Sequence, residues 1–429
     1  MPSGPKHLMS SAAPTSAADV SFSDIVEARE RIRSGIYRSP CTESETLSEQ
    51  LGCRVHCKLE YLQRTGSFKE RGARNALLLL TAEQRARGVV AASAGNHAMA
   101  LAHHGRQLGV SITVVMPKFA PLVKQVRCRQ LGARVILYGE NIAEAKDRGD
   151  ELVRDEGLTY IHGFNDAAII AGQGTIGLEI LEEVPTVDAI IVPVGGAGLI
   201  AGVALAVKTA RPRTQVIGVE PRRAASYLAA LAAGHPVRIA TQPTLADGLA
   251  VPEVGARAFE IARRHVDQVV AVNEEDISLA ILRLAELEKG VVEGAGAASL
   301  AALLAEGAGE LAHLRGKRVV LLLCGGNIDP MILSRVIEHG LAVDGRLVQF
   351  TAVIRDRPGG LAELAATIGA GGASVRQITH ERAFGGPDIS TVLVLCTVEV
   401  RDRGHADELQ QLLAERGIRV LDRPGPPHD

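Results

Sequence analysis

The sequence predicts an α/β protein: a parallel sheet wrapped by helices, followed by a smaller α+β unit. Three observations predict it. From Gly88 onward, short runs rich in Val, Ile and Leu alternate with helical patterns. Several of these runs are continuous, as strands covered on both faces require. Glycine-rich breaks stand at their carboxyl ends, where open α/β sheets bind ligands. Near Leu347 the pattern changes to strand, helix, two strands, helix and strand.

The elements follow in order. Residues 1–21 are small and polar, a disordered tail without the apolar core of a secretory signal. Val55–Leu59 reads as extended; a turn follows, then a helix whose apolar face is Ala73, Ala76, Leu77 and Leu80, at i, i+3, i+4 and i+7. Strands are expected at Gly88–Ser93, Ser111–Pro117, Ala133–Tyr138, Tyr160–Phe164, Asp188–Val194, Gln215–Val219 and Arg318–Leu323. Helices are expected between them, among others at Gly174–Glu183, Gly198–Ala210 and Glu275–Lys289. In the second unit, strands at Leu347–Arg355, Ser374–Arg382, Ile389–Val400 and Ile418–Leu421 flank helices at Leu361–Ala370 and Ala406–Arg416. With roughly 75 residues this unit can hold its own small core. The implied domains are 22–343 and 344–423, with a Pro-rich tail at 424–429.

Composition excludes several classes of function. The formal charge of −2 gives no reason to expect nucleic acid or an anionic membrane. Aromatic residues are 3% and Trp is absent, so stacking platforms for bases are not expected. No apolar run reaches the ~20 residues of a membrane helix. The cysteines at 41, 53, 57, 128, 324 and 396 are scattered. Cys53 and Cys57, with His56 between them, lack a second ligand pair, so reduced thiols and a cytoplasmic address are expected rather than a metal site.

Chemistry concentrates at Lys69, in Gly66-Ser67-Phe68-Lys69-Glu70-Arg71-Gly72-Ala73, at the opening of a helix. A helix N-terminus is positive, which disfavours a lysine there and lowers its pKa, as an amine acting as nucleophile and base requires. Gly195-Gly196-Ala197-Gly198-Leu199 follows a strand and opens a helix. Its exposed N–H groups make an anion cradle, without P-loop or dinucleotide spacing. Ser93-Ala94-Gly95-Asn96-His97 offers a similar grip for a carboxylate, or an ordinary helix cap. Cys324, in Cys324-Gly325-Gly326-Asn327, ends a buried strand at the same crevice.

In this order, the four elements resemble the fold-type II pyridoxal-phosphate enzymes, above all the threonine dehydratase group with its serine dehydratase and serine racemase relatives. The resemblance covers roughly Phe22–Val343 and includes Thr244-Leu245-Ala246-Asp247-Gly248-Leu249-Ala250-Val251. It implies a tryptophan synthase β-like fold of two α/β lobes, with pyridoxal 5′-phosphate carried covalently by Lys69. By the same resemblance, Phe68 flanks the cofactor ring, Asn96 meets its hydroxyl, and Gly195, Gly196, Ala197, Gly198 and Leu199 hold its phosphate. Gly248 lies near it and Cys324 faces the pyridine nitrogen. Ser93, Gly95, Asn96 and His97 then bind the substrate carboxylate. Ala197 and Ala100 each replace a glycine of the commoner pattern.

The activity so implied is β-elimination on L-threonine, and on L-serine, giving 2-oxobutanoate or pyruvate and ammonia, allosterically regulated in isoleucine biosynthesis. Serine racemase is an alternative, but racemases carry a serine where this chain has Ala94. Dehydratases of hydroxyaspartate or phenylserine, and a non-catalytic amino-acid sensor, are further alternatives. Some relatives hold a divalent cation after the segment matching Gly218-Val219-Glu220-Pro221; Ser226 stands where an acidic ligand belongs, so no metal is expected. His56, His162 and Glu293 stand either near the site or in structural roles, and the structural reading is favoured. The C-terminal unit resembles an ACT domain, a ferredoxin-like effector module. Its turn at Asp356, Arg357, Pro358, Gly359 and Gly360 is the expected effector site, for isoleucine or valine. A homo-oligomer, a tetramer, is expected from its sheet edges.

Overall fold

The computed structural model describes residues 20–381 and 390–421. Residues 1–19 and 424–429 of the expected tails, and the loop-side ends Arg382 and Ile389 of two expected strands, lie outside the described residues; Val20 is buried and Ser21 caps the helix Phe22–Ile32, so the N-terminal tail ends before them. The larger sheet has six strands, in spatial order Cys41–Ser44, Arg54–Lys58, Arg318–Leu322, Ala189–Pro193, Gln215–Pro221 and Gln268–Val272. All its pairings are parallel except the first. A second sheet of four parallel strands runs Arg134–Leu137, Ile112–Met116, Val89–Ala92 and Thr159–Tyr160. The single wrapped sheet read from the pattern is therefore two, one for each lobe.

Burial explains the continuous apolar runs. Every residue of Ile112–Met116 and of Ala189–Pro193 is buried, because helices cover both faces. The long helix Ala167–Glu183 joins the lobes and packs on the helices Lys69–Leu78 and Gly198–Ala210. Glycines permit the close approach: a Cβ on Gly172 would lie 2.6 Å from Gly72 Cα, and one on Gly202 would lie 2.3 Å from the Ile170 oxygen. Beneath this contact, Arg71 is sealed between Glu60 and Glu179, and Lys58 reaches Glu179 and Glu183.

Two expectations are corrected, and two strands are added to those expected. The expected strand Tyr160–Phe164 pairs only at Thr159–Tyr160, because the chain then turns, with the N–H groups of Phe164 and Asn165 donating to His162 Nδ1. Leu80 lies past the end of its helix at Leu78. Two edge strands, Cys41–Ser44 and Gln268–Val272, went unread because they are short and only partly buried.

The C-terminal sheet is antiparallel, in spatial order Ser374–Glu381, Thr391–Glu399, Leu347–Arg355 and Arg419–Leu421. With the helices Gly360–Ala370 and Arg403–Glu415 it has the ferredoxin-like βαββαβ order. Its own core includes Phe350, Leu364, Ile368, Val394, Cys396 and Leu413. It is tied to the preceding body by Arg283–Asp344 and Arg346–Glu286, each 2.5 Å. Among the described residues no helix is long and apolar enough to cross a membrane.

Candidate active site

The carboxyl ends of strands from both sheets converge on one cleft. Lys69 is the first residue of its helix, with Phe68 at the cap. Two backbone links fix this turn to the glycine loop after Leu322: Phe68 N–H donates to the Cys324 oxygen at 3.0 Å, and Gly326 N–H to the Gly66 oxygen at 2.9 Å. Lys69 Nζ donates to the Gly163 carbonyl at 2.7 Å and stands 5.1 Å from the Phe68 ring centroid. Burial lowers the Lys69 pKa to about 8, against the pull of Cys324 and Glu293. The sequence argument expected a lowered pKa from the helix terminus; desolvation is the larger cause.

The loop after Pro193 is the glycine segment expected to cradle an anion. Ala197 takes the left-handed conformation, φ 67°. The first helical bond beyond it runs from Ala201 N–H to the Ala197 oxygen at 2.9 Å. The N–H groups of Gly198, Leu199 and Ile200 thus precede the hydrogen-bonded ladder, at the positive end of the helix. Glycine is required here by contact. A Cβ on Gly196 would lie 2.3 Å from the Phe164 ring, one on Gly198 2.3 Å from the Phe164 oxygen, and one on Gly195 3.1 Å from Leu249 Cα. Gly248 closes the same corner, 3.1 Å from Ala295 by the same measure.

At the end of strand Val89–Ala92, Ser93 Oγ accepts from Gly95 N–H at 3.3 Å. Gly95 borders open space, and the helix Asn96–Leu108 begins beside it. The His97 ring packs beside Gly163: Nε2–H donates to the Ile161 oxygen at 3.1 Å, and burial, then Lys69, push its pKa down to about 3. Its contribution to an anion site is its backbone N–H.

Cys324 is 2% exposed, and burial, then Glu293, hold its thiol well above the usual range. It is a neutral group at the cleft floor.

Two residues for which the sequence favours a structural role, Glu293 and His162, adjoin the groups above. Glu293 is 5% exposed. Its Oε1 accepts from Asn96 Nδ2 at 2.7 Å and its Oε2 from Asn327 N–H at 3.1 Å. His162 packs edge-on to Phe164 at 4.4 Å, and burial and Lys69 push its pKa down to about 4. The available signal for Glu293 was an acidic residue heading the uncharged helix Gly294–Leu304. His56, by contrast, stands beside Glu43 at 3.7 Å, outside this set of contacts.

Glu220 spends both oxygens on the N–H groups of Tyr227 and Leu228, at 2.7 and 2.9 Å. Ser226 is fully buried next to it. The donor atoms of Glu70, His103 and His104 lie within 4.8 Å of one another. There His104 Nε2 is 3.3 Å from Glu70, and Nδ1 is 3.5 Å from Arg74 Nη1.

The cleft thus combines an amine of lowered pKa, a row of N–H groups at a helix start, and a neutral thiol. This set fits a phosphate-bearing aldehyde, and with the two-lobed fold it defines a pyridoxal-phosphate enzyme of the tryptophan synthase β-like class. Residues 32–325 match the family described as pyridoxal-phosphate dependent enzyme, and the chain belongs to that family. An L-threonine ammonia-lyase of Thermotoga maritima is 42% identical over 94% of this chain and 99% of its own. A second, of Geobacter sulfurreducens, is 43% identical over 90% of this chain and 95% of its own. Among solved structures, the processed threonine deaminase isoform 2 of Solanum lycopersicum superposes with TM-score 0.71 at 36% identity, over 79% of this chain and 93% of that one.

Proposed function

We propose that this enzyme is a threonine ammonia-lyase, converting L-threonine to 2-oxobutanoate and ammonia and L-serine to pyruvate and ammonia. The observation that carries the reading is the Lys69 amine, with its pKa of about 8, held in one cleft with the glycine loop and Cys324. The likeness to two L-threonine ammonia-lyases along nearly the whole chain supports it.

When bound, the cofactor withdraws electrons from the substrate Cα. Lys69, Gly195, Gly196, Ala197, Gly198, Leu199, Gly248, Asn96, Phe68 and Cys324 would hold it. The N–H groups opening the helix at Asn96 and His97, with Ser93 and Gly95, orient the substrate carboxylate. The neutral Lys69 Nζ accepts the Cα proton. The neutral Cys324 would face the cofactor's ring, where a thiol, unlike a carboxylate, would leave the electron sink moderate. The water lost at Cβ returns when ammonia leaves, so the net reaction is threonine to 2-oxobutanoate plus ammonia.

The test is a product assay over threonine, serine and 3-hydroxyaspartate. 2-Oxobutanoate from threonine is the expected result. Racemised amino acid without 2-oxo acid would favour the racemase reading, against which stands Ala94.

The C-terminal unit is read as an ACT domain, with domains at 22–343 and 344–423. Its turn supports an effector site at Asp356, Pro358, Gly359 and Gly360: Gly359 is left-handed at φ 89° and opens the helix Gly360–Ala370. Isoleucine or valine is the proposed effector, and equilibrium dialysis with each amino acid tests it. The edge strands Ser374–Glu381 and Arg419–Leu421 support assembly into a homo-oligomer, a tetramer. The six free cysteines support a cytoplasmic address.

A further inference from the structure

We propose that Glu293 is a positioning residue, which through its hydrogen bond to Asn96 sets the end of the Asn96 amide that faces the Lys69 cleft. The inference rests on the cofactor-holding role given to Asn96 above and deepens it.

The Asn96 amide is clamped at both ends. Its Nδ2 donates to Glu293 Oε1 at 2.7 Å, and its Oδ1 accepts from Asn327 Nδ2 at 2.9 Å. Asn327 is itself held, donating from Nδ2 to the Thr65 oxygen at 2.7 Å and from N–H to Glu293 Oε2 at 3.1 Å. Turning the amide over would set Asn96 Oδ1 against the carboxylate and Nδ2 against another NH₂ group. One orientation is therefore enforced. Nδ2 carries two hydrogens, and Glu293 takes one. The second remains to donate to the cofactor's ring hydroxyl.

The surroundings are built around this carboxyl group. Glu293 N–H donates to the Gly325 oxygen at 3.0 Å. A Cβ on Gly325 would lie 2.3 Å from Glu293 Oε1, so glycine is needed there to admit the side chain. The charged and titratable groups whose fields reach Glu293 or are reached by it are Asp247, Lys124, Lys69 and Cys324. Burial, then Asp247, push its pKa up to about 7, opposed by the Asn96 hydrogen bond, Lys124 and the Asn327 N–H. Above that pH the carboxylate accepts both N–H groups. Below it one oxygen carries a proton, and the clamp on Asn96 weakens as pH falls.

The test is a double-mutant cycle read as the dissociation constant of pyridoxal 5′-phosphate, by titrating apoprotein and following visible absorbance. Asn96→Ala and Glu293→Ala should each weaken binding on the order of tenfold, as loss of a supporting partner does. If Glu293 acts through Asn96, the double variant binds no more than about twofold more weakly than Asn96→Ala. Weakening by the product of the two single effects overturns the inference. Glu293→Gln keeps the volume and an acceptor for Asn96; it should recover most of the affinity and flatten the fall in binding below pH 7. A Glu293→Gln variant with the wild-type pH profile also overturns it. Where Glu293→Ala does not fold by circular dichroism, the cycle is run with Glu293→Met, which keeps the bulk but offers Asn96 no carboxylate oxygen, with the same criterion of non-additivity. Failure of the functional reading looks different: wild-type protein that takes up no cofactor, or yields no 2-oxo acid.

Discussion

Lys69 Nζ donates to the backbone carbonyl of Gly163 at 2.7 Å, tying an amine on one helix to the turn that ends the strand Thr159–Tyr160. That turn also carries Phe164, against which the glycine loop packs. The Lys69 amine and the glycine loop at 195–199 are therefore positioned by one segment.

Loading of cofactor onto apoprotein should follow the free-amine fraction of Lys69. The folded pKa is lowered to about 8, so this fraction rises as pH passes upward through 8. The loading rate, measured from pH 6 to 10, should have its midpoint near 8 rather than near the ordinary lysine value of about 10.4. Lys69→Ala should show neither the visible absorbance, nor a borohydride-stable tag, nor turnover.

Gly196→Ala should push the Phe164 ring aside, because the new Cβ would lie 2.3 Å from it. Cofactor affinity should fall at least about tenfold, as for other losses of a supporting contact. Titration of the apoprotein checks this.

Ala197 is buried and left-handed at φ 67°. Ala197→Gly should raise stability by up to about 1 kcal/mol by removing steric cost, less the entropy that glycine adds to the unfolded chain. Ala197→Val should lower both stability and cofactor affinity. Denaturant midpoints of the three proteins decide the order.

Arg71 is 1% exposed and donates to Glu60 and Glu179, with Lys58 adjoining. Arg71→Ala should cost about 3–5 kcal/mol, since it leaves buried carboxylates without their cation. Arg71→Lys should not restore the full value, because an ammonium cannot span two carboxylates with a planar fork. Urea unfolding gives both numbers.

Cys324→Ser should keep 2-oxo acid formation within about tenfold, because a hydroxyl is also neutral at the cleft floor. Cys324→Asp would place a carboxylate beside Glu293 and should abolish turnover. The steady-state rate on threonine measures both.

Much of this was legible in the sequence. The helix Gly198–Ala210 and the strand Leu347–Arg355 have the limits read from their patterns. Apolar continuity, caps and glycine positions are properties of adjacent residues. The segment after Tyr160 has the apolar and aromatic content of a strand, and Ile161 N–H still reaches the Val90 oxygen, but the N–H groups of Phe164 and Asn165 are taken by His162. Glu293 was set aside because one acidic residue at a helix start looks like an ordinary terminal charge.

The sequence by itself determined the alternation of strands and helices, the glycine loops at strand ends, and the lysine among them. Sterics and propensities act over a few residues, so these can be read locally. Only the tertiary structure decided that Glu293 meets Asn96, 197 residues away, that burial lowers the Lys69 pKa, and that the strands divide into two sheets with a cleft between them. Desolvation and hydrogen bonding across a cleft depend on which distant groups crowd together, and local spacing does not encode that.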